Sequence, residues 1–206
     1  MPEPVLGRPR PRPSFAILAL LPVGAVIMLA CTFNAVARIG QPHPGFFLWQ
    51  NGFVPAIGVI DDDAAQAGLR YQSRLIAVDG RPVADRAAAE ALVRARPAGT
   101  TFRYTLVKDG TTYDIDLAST RLHVGAFALT LGNYLLNALA LLALGVAIIF
   151  LEPTSRPGRS FFLFCANYGL YLATSADLMG PSWFQPLYFF LVNLCPVTAL
   201  QAALDF

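Results

Sequence analysis

Charge is scarce in this chain. Of 206 residues only 14% are Asp, Glu, Lys or Arg, while 55% are hydrophobic and the formal net charge is +2. A soluble domain carries about a quarter charged residues, so the composition points to a membrane protein. So small and scattered a positive balance speaks against nucleic acid as a partner, and no stretch interleaves basic with aromatic residues as a nucleic-acid platform does. Cysteine is equally sparse. Cys31, Cys165 and Cys195 all fall in apolar runs, which leaves no disulfide framework. The two histidines, His43 between prolines and His123 at an apolar boundary, belong to no His-Glu-x-x-His or other metal-ligand spacing. A Gly-x-Ser-x-Gly elbow, a phosphate-binding glycine loop and a cysteine with a partnering histidine are all missing. No catalytic residue, metal site or cofactor is assigned.

What is there is long apolar segments around one stretch of soluble composition. Residues 1–14 alternate Arg8, Arg10 and Arg12 with Pro9, Pro11 and Pro13, the composition of an extended, solvated tail. Residues 15–37 follow as an apolar run long enough to span a bilayer, with Pro22 kinking it. A cleavable signal peptide ending near Ala35-Val36-Ala37 is the rival reading, and the length favours a retained helix. Further spans are expected at 124–151, 160–178 and 184–204, the last interrupted by Pro186 and Pro196. Arg156 and Arg159 in one short loop, and the arginines before the first span, fall on one side of a four-span topology. That side reads as cytoplasmic, which puts residues 40–121 outside and the chain in the inner (plasma) membrane, with its amino terminus in the cytoplasm. In 124–151, Asn133 and Asn137 lie one helical turn apart and suggest interhelical hydrogen bonds, with a ligand or ion role as the rival. The last span meets no basic flank before Phe206, as in the amino-terminal part of something longer.

Residues 40–121 read as a compact α+β unit. Asn51-Gly52 has strong hairpin chemistry, with a strand expected over 53–60. Asp61, Asp62 and Asp63 are consecutive, so they cannot converge on one ion and read as a solvated turn. Leu75 to Val78 is a short apolar strand closed by Asp79-Gly80. Residues 84–95 place Ala87, Ala88, Ala91, Leu92 and Ala95 at helical spacing, with Asp85, Arg86, Glu90 and Arg94 on other faces. Residues 100–108 and 112–117 alternate as a hairpin about Asp109-Gly110, with Phe102, Tyr104 and Leu106 facing Tyr113, Ile115 and Leu117.

The run from Ala64 to Val83, an alanine-rich turn, Gly68-Leu69, a tight turn, a strand and Asp79-Gly80, resembles the central signature of bacterial PDZ domains. Where that family usually has Gly-Asp this chain has Gln72-Ser73, whose hydroxyl can still accept from a backbone amide. The resemblance implies a small, partly open β-barrel with a helix beside a peptide groove. On one side of that groove it would place Gly45, Phe46, Phe47 and Leu48, whose amides would face a peptide and whose strand edge would pair with it. On the other it would place Ala88, Ala91 and Leu92. Phe46, Leu48 and Trp49 packing the barrel or resting at the membrane interface is the competing reading. A PDZ-like domain between membrane helices is similar to the sensor half of certain bacterial histidine kinases of the peptide-pheromone receptor type. This implies signal transduction, a peptide or protein ligand, the lipid bilayer and a homodimer as partners, although no heptad or small-residue seam stands out in the sequence. A regulatory part of a membrane protease or secretion component, and a non-enzymatic envelope assembly module, are the two rival functions.

Overall fold

The computed structural model of the chain describes residues 15–55 and 62–206. The basic tail 1–14, the expected strand residues 56–60 and Asp61 lie outside the described residues. Helix α1 (Phe15–Val36) leads into the soluble domain, apolar on all sides and containing Pro22. In the domain, β2 (Arg74–Val78), β3 (Arg81–Pro82), β4 (Thr101–Lys108) and β5 (Thr111–Ala118) form an antiparallel sheet in the order β3-β2-β4-β5. Two turns make this sheet. Asp79 and Gly80 both have positive φ, as do Asp109 and Gly110, the backbone that a two-residue hairpin turn requires and that these residue types tolerate.

The expected register across the β4–β5 hairpin is present. Leu106 faces Tyr113, Tyr104 faces Ile115 and Phe102 faces Leu117. Phe102, Tyr104 and Leu106 are fully buried at the centre of the core with Leu75, Val78, Ala89 and Val93. Leu75 and Val78 are three residues apart and would point to opposite faces of a regular strand. A bulge between Leu75 and Ala77 turns both inward. Hence β2 has one buried face, not two.

Several expectations are corrected. The described strands form a four-stranded sheet and a separate two-stranded ribbon, β1 (Pro42–His43) with β6 (Thr120–Arg121). Of the expected strand over 53–60, Phe53 bridges Arg74 and Val54 exchanges backbone hydrogen bonds with Ser73 and Gln72, while 56–60 lie outside the described residues. Asn51-Gly52 does turn the chain, but as the end of a three-residue loop: Gly52 N donates to Trp49 O, Trp49 N donates to Phe53 O, and only Gly52 takes positive φ. Asp62 and Asp63 open a short helix, α2 (Asp62–Gln66), where acidic groups complement the amino-terminal dipole. Ser73 is buried with its hydroxyl 2.7 Å from Tyr113 Oη, so a cross-strand tyrosine holds that turn. Gln72 takes a φ of +62°, where the resembled family has glycine.

Below the domain, α4 (Val124–Phe127), a π turn (Ala128–Gly132) and α5 (Asn133–Leu151) form one continuous 28-residue helix. Helix α6 (Arg156–Leu178) returns toward the domain and α7 (Gln185–Asp205) leaves it. Among the described residues three helices are long and apolar enough to cross a membrane, the windows being Ala19–Val36, Val124–Leu151 and Gln185–Asp205. Helix α6 has the length but not the apolarity, because it carries Asn167, Thr174, Ser175 and Asp177, all buried. It is also the helix that packs against α1, α5 and α7. The most polar helix is thus wrapped by the apolar ones.

Candidate functional site at the junction of domain and bundle

Helix α3 (Arg86–Arg94) is capped by Asp85, whose carboxylate accepts from Ala88 N at 2.8 Å. Its apolar flank, Ala88, Ala89, Leu92 and Val93, packs on the domain core. Its other inward flank is charged: Arg86 and Glu90 are both buried. Arg86 bridges two parts of the protein. Its guanidinium donates to Leu48 O at 3.3 Å within the domain, to Ser182 Oγ at 3.0 Å, and to the carbonyls of Leu178 and Gly180 at the end of α6. Arg38, just past α1, donates to Glu90 at 2.9 Å and to Met179 O. Arg94 also pairs with Glu90, and Arg86 Nε lies 3.7 Å from the same carboxylate.

Three guanidiniums therefore share one carboxylate at the carboxy-terminal end of α6, where the helix dipole is negative and exposed carbonyls need donors. Burial alone would push the Glu90 carboxyl up, but Arg38, through its charge and its hydrogen bond, and then Arg86 and Arg94 hold it below its ordinary value. Burial pulls Arg86 below its usual value and Glu90 offsets this. Beneath them Asp177, with no exposed surface, accepts from Asn34 Nδ2 of α1 and from the backbone N of Phe184, both at 2.9 Å. Each buried charge is thus met by opposite charge or several donors, the condition for such groups to be tolerated inside a protein.

The expected groove residues separate here. Phe46 and Leu48 are buried in the domain core. Gly45 takes a φ of +86°, and its amide donates to His43 Nδ1 at 3.1 Å. Phe47 turns away from the domain core, stacks on His43 with ring centroids 6.0 Å apart, and packs on the bundle's apolar cluster. Ala91 is exposed, while Ala88 and Leu92 are half-buried on the flank of α3 away from Arg86. Between the 45–48 segment and α3 lies a cavity of about 10 Å³ lined by Arg38, Gln41, Pro42, His43, Phe47, Arg94 and Leu122. That is room for one water. A second, of about 60 Å³, lies beside Leu92, Arg96 and Phe102. Neither holds a peptide as it stands.

His43 anchors this corner. Its Nδ1 accepts from Gly45 N, and its Nε2 lies 3.1 Å from Thr120 Oγ1. Burial first, then the charge of Arg38, lowers its pKa to about 4, which keeps the ring neutral and Nδ1 an acceptor.

The expected interhelical pair, Asn133 and Asn137, is not found between helices of this chain. Asn137 Nδ2 donates to Asn133 O and Oδ1 within α5, on an exposed face. The amides that do join helices are Asn34, on Asp177, and Asn167, whose Nδ2 reaches Leu191 O, Cys195 Sγ and Thr198 Oγ1 of α7 at 3.2–3.4 Å. Both were open to recognition as polar side chains inside apolar segments. Arg86 and Glu90 had a weaker signal, the i,i+4 spacing of an ordinary surface ion pair. Among the described residues no group of three or more His, Cys, Asp or Glu could hold a metal ion.

Comparison with known proteins places the chain in no family: no family model matches, and no curated protein does. Among solved structures it is similar to a serine endoprotease from Yersinia pestis at 23% identity, covering 42% of this chain and 31% of that one, with a TM-score of 0.34. An aminopeptidase N family protein from Idiomarina loihiensis matches at 16% identity over 40% of this chain and 14% of that one, with a TM-score of 0.34. The HtrA-type protease AlgW with decapeptide matches at 15% identity over 39% and 29%, with a TM-score of 0.32. The chain spans less than a third of the length of each. Likenesses this partial say nothing of activity.

Proposed function

We propose that this chain is a membrane signal-receiving module in which an extracytoplasmic PDZ-like domain reports its binding state to the helix bundle. The observation that carries this reading is the bridge made by Arg86, which holds the domain's Leu48 carbonyl and the last carbonyls of α6 at once. A domain joined to a bundle only by linkers would transmit little. One joined through buried charges has a discrete alternative state, because moving it strands Glu90 and Arg86 unless the bundle repacks. In this reading α6 is a fourth span in the inner membrane, and the amino terminus and the Arg156 loop are cytoplasmic. The ligand is an extended peptide or protein segment engaging Gly45, Phe46, Phe47 and Leu48 opposite Ala88, Ala91 and Leu92. The existing cavities have no room for it, so in this reading it displaces residues 178–182, which Arg86 ties to the Leu48 carbonyl. Binding and release of the end of α6 are then one event, the differential affinity that a population shift requires. A histidine-kinase type of output would be carried by sequence other than these residues.

The test is Arg86→Met in the full chain in lipid nanodiscs. Hydrogen exchange at residues 178–184 should quicken about tenfold or more, while β4 and β5 stay protected. The variant should also capture members of a decapeptide library better than the parent chain. Unchanged exchange at 178–184 would remove the bridge as a transmitter. Faster exchange with no gain in peptide capture would leave an assembly module as the reading. Phe47→Asp, the obvious groove mutation, is less clean, because Phe47 packs on the bundle.

A further inference from the structure

The end of α1 and the start of α4 stand at one level. Gly40 N donates to Leu122 O at 2.8 Å and Leu122 N to Gln41 O at 3.3 Å, so the segment leaving α1 is tied to the one entering α4. Both helices belong to apolar spans, Ala19–Val36 and Val124–Leu151. Residues 38–43 and 120–123 therefore lie where hydrocarbon gives way to headgroups. At this level positive charge exceeds negative. Arg38, Arg86 and Arg94 share Glu90, and Asp177 lies beneath them. A further guanidinium, Arg121, is exposed and has no partner among the described residues. Four positive charges thus meet two negative ones, His43 is neutral, and the carboxy-terminal dipole of α6 offsets only about half a charge.

The surplus is gathered round one crevice. Arg38, Gln41, Pro42 and Arg94 line the water-sized cavity of about 10 Å³. Arg121 stands directly across the β1–β6 ribbon from Pro42. Residues opposite one another in an antiparallel pair share a face, so Arg121 belongs to the face that carries the cavity. Donors are left over here. Arg38 gives one N–H to Glu90 and one to Met179 O, out of the five a guanidinium has. Gln41 Nε2 gives one to Ala37 O at 2.7 Å and keeps the other. Arg94, which pairs only with Glu90, is 48% exposed. The cavity admits a single oxygen atom, and the arginines stand around it.

We infer that this crevice binds the phosphate of an anionic phospholipid. One phosphate oxygen enters the cavity between Arg38, Gln41 and Arg94, the phosphodiester lies across Arg94 and Arg121, and the acyl chains continue into the bilayer. A guanidinium suits this group because its fork of N–H donors meets two phosphate oxygens at once. The lipid is the source because the crevice lies at headgroup level, where phosphodiesters are the concentrated anion. A zwitterionic headgroup carries its own ammonium, which the surplus of arginines repels, whereas an anionic one brings only the charge that the crevice lacks. The site stands with or without a peptide ligand on the domain.

The test places the full chain in nanodiscs of phosphatidylcholine, alone or doped with phosphatidylglycerol. Native mass spectrometry reads the lipid retained on release into detergent, and hydrogen exchange reads residues 38–43 and 120–123. The parent should keep phosphatidylglycerol in preference to phosphatidylcholine, and both segments should exchange more slowly in doped discs only. Arg121→Gln, which removes no contact within the described chain, should lower retention roughly fivefold, and Arg94→Gln/Arg121→Gln roughly thirtyfold. Arg103→Gln, on the outer face of β4 beside Asp116, should retain the lipid fully. If the double variant loses the protection of β4 and β5, the single variant decides alone. Equal retention of the two lipids, no loss in Arg121→Gln, or an equal loss in Arg103→Gln would overturn the site. Inorganic phosphate that slows exchange as much in undoped discs would assign the crevice to a free anion and overturn the lipid.

Discussion

The molecule has two interiors built by opposite rules. The soluble domain hides its bulk: Phe102, Tyr104 and Leu106 are buried at its centre. The bundle displays much of its bulk, with Phe33 72%, Leu129 77% and Leu151 75% exposed, and at its centre Cys31, Ala35, Ala138, Ala173, Thr174 and Asp177 are buried beside Leu131, Ile149 and Phe162. In water, apolar area removed from solvent drives packing. Between helices in lipid there is no such gain, so small residues that let backbones approach, and polar groups that find partners, occupy the inside. The difference teaches that a buried position here carries no fixed chemistry. Which solvent lies outside decides it.

The sharpest way to break this contrast is to apply one substitution to both regions. Leu106→Ala, in the domain core, should cost about 2–5 kcal/mol, seen as faster amide exchange across β4 and β5 in the nanodisc-embedded chain. Leu136→Ala, on the exposed face of α5, should leave the bundle's stability nearly unchanged. Equal losses would mean that the exposed leucines are not facing lipid. The converse substitution adds volume. A Cβ on Gly169 of α6 would lie 2.9 Å from Leu142 Cγ and 3.0 Å from Ala138 O, so Gly169→Val should separate α5 from α6 and cost about 1–3 kcal/mol. Chemical denaturation of the detergent-solubilised chain reads this directly.

A modest, pH-dependent effect is expected where the two interiors meet. His43 has a folded pKa of about 4 against 6.5 when free, so the unfolded state takes up the proton first. The contribution is fully present above pH 6.5 and is lost as pH falls toward 4. Between pH 6.5 and 5.5 the loss should be about 1 kcal/mol. Thermal melts of the parent chain and of His43→Gln should diverge at neutral pH and converge on acidification. Parallel pH profiles would place the titration elsewhere.

Much of the domain was legible because local chemistry is decisive there. Asp79-Gly80 and Asp109-Gly110 permit only tight turns, and the alternation through Phe102, Tyr104 and Leu106 permits only one inward face. The outline of α1, α5 and α7 was legible from apolar length. Helix α3 was misread for a physical reason. Its alanines, as good helix formers, mimic an apolar face, yet Ala87, Ala91 and Ala95 are exposed, and the inward flank includes Arg86 and Glu90. Nothing local marks a charged residue as buried when its partners, Arg38 and the carbonyls of 178 and 180, lie far away in sequence. The same holds for Asp177, fully buried against Asn34. Gln72 is a local exception, a left-handed residue that its side chain does not announce.

Helix α6 is fastened at both ends. Near the domain its last carbonyls are gripped by Arg86 and Arg38. At the other end Arg156 and Ser160 both meet Asp205 of α7, the former at 2.9 Å. Proline interrupts α1 at Pro22 and α7 at Pro196, but α6 has none beyond its first turn. It is a single unbroken helix about 35 Å long. A shift of one helical rise, about 1.5 Å, imposed beside the soluble domain has two outlets: bending near Thr174 and Ser175, whose hydroxyls donate to carbonyls four residues back, or displacement at the Arg156–Asp205 pair.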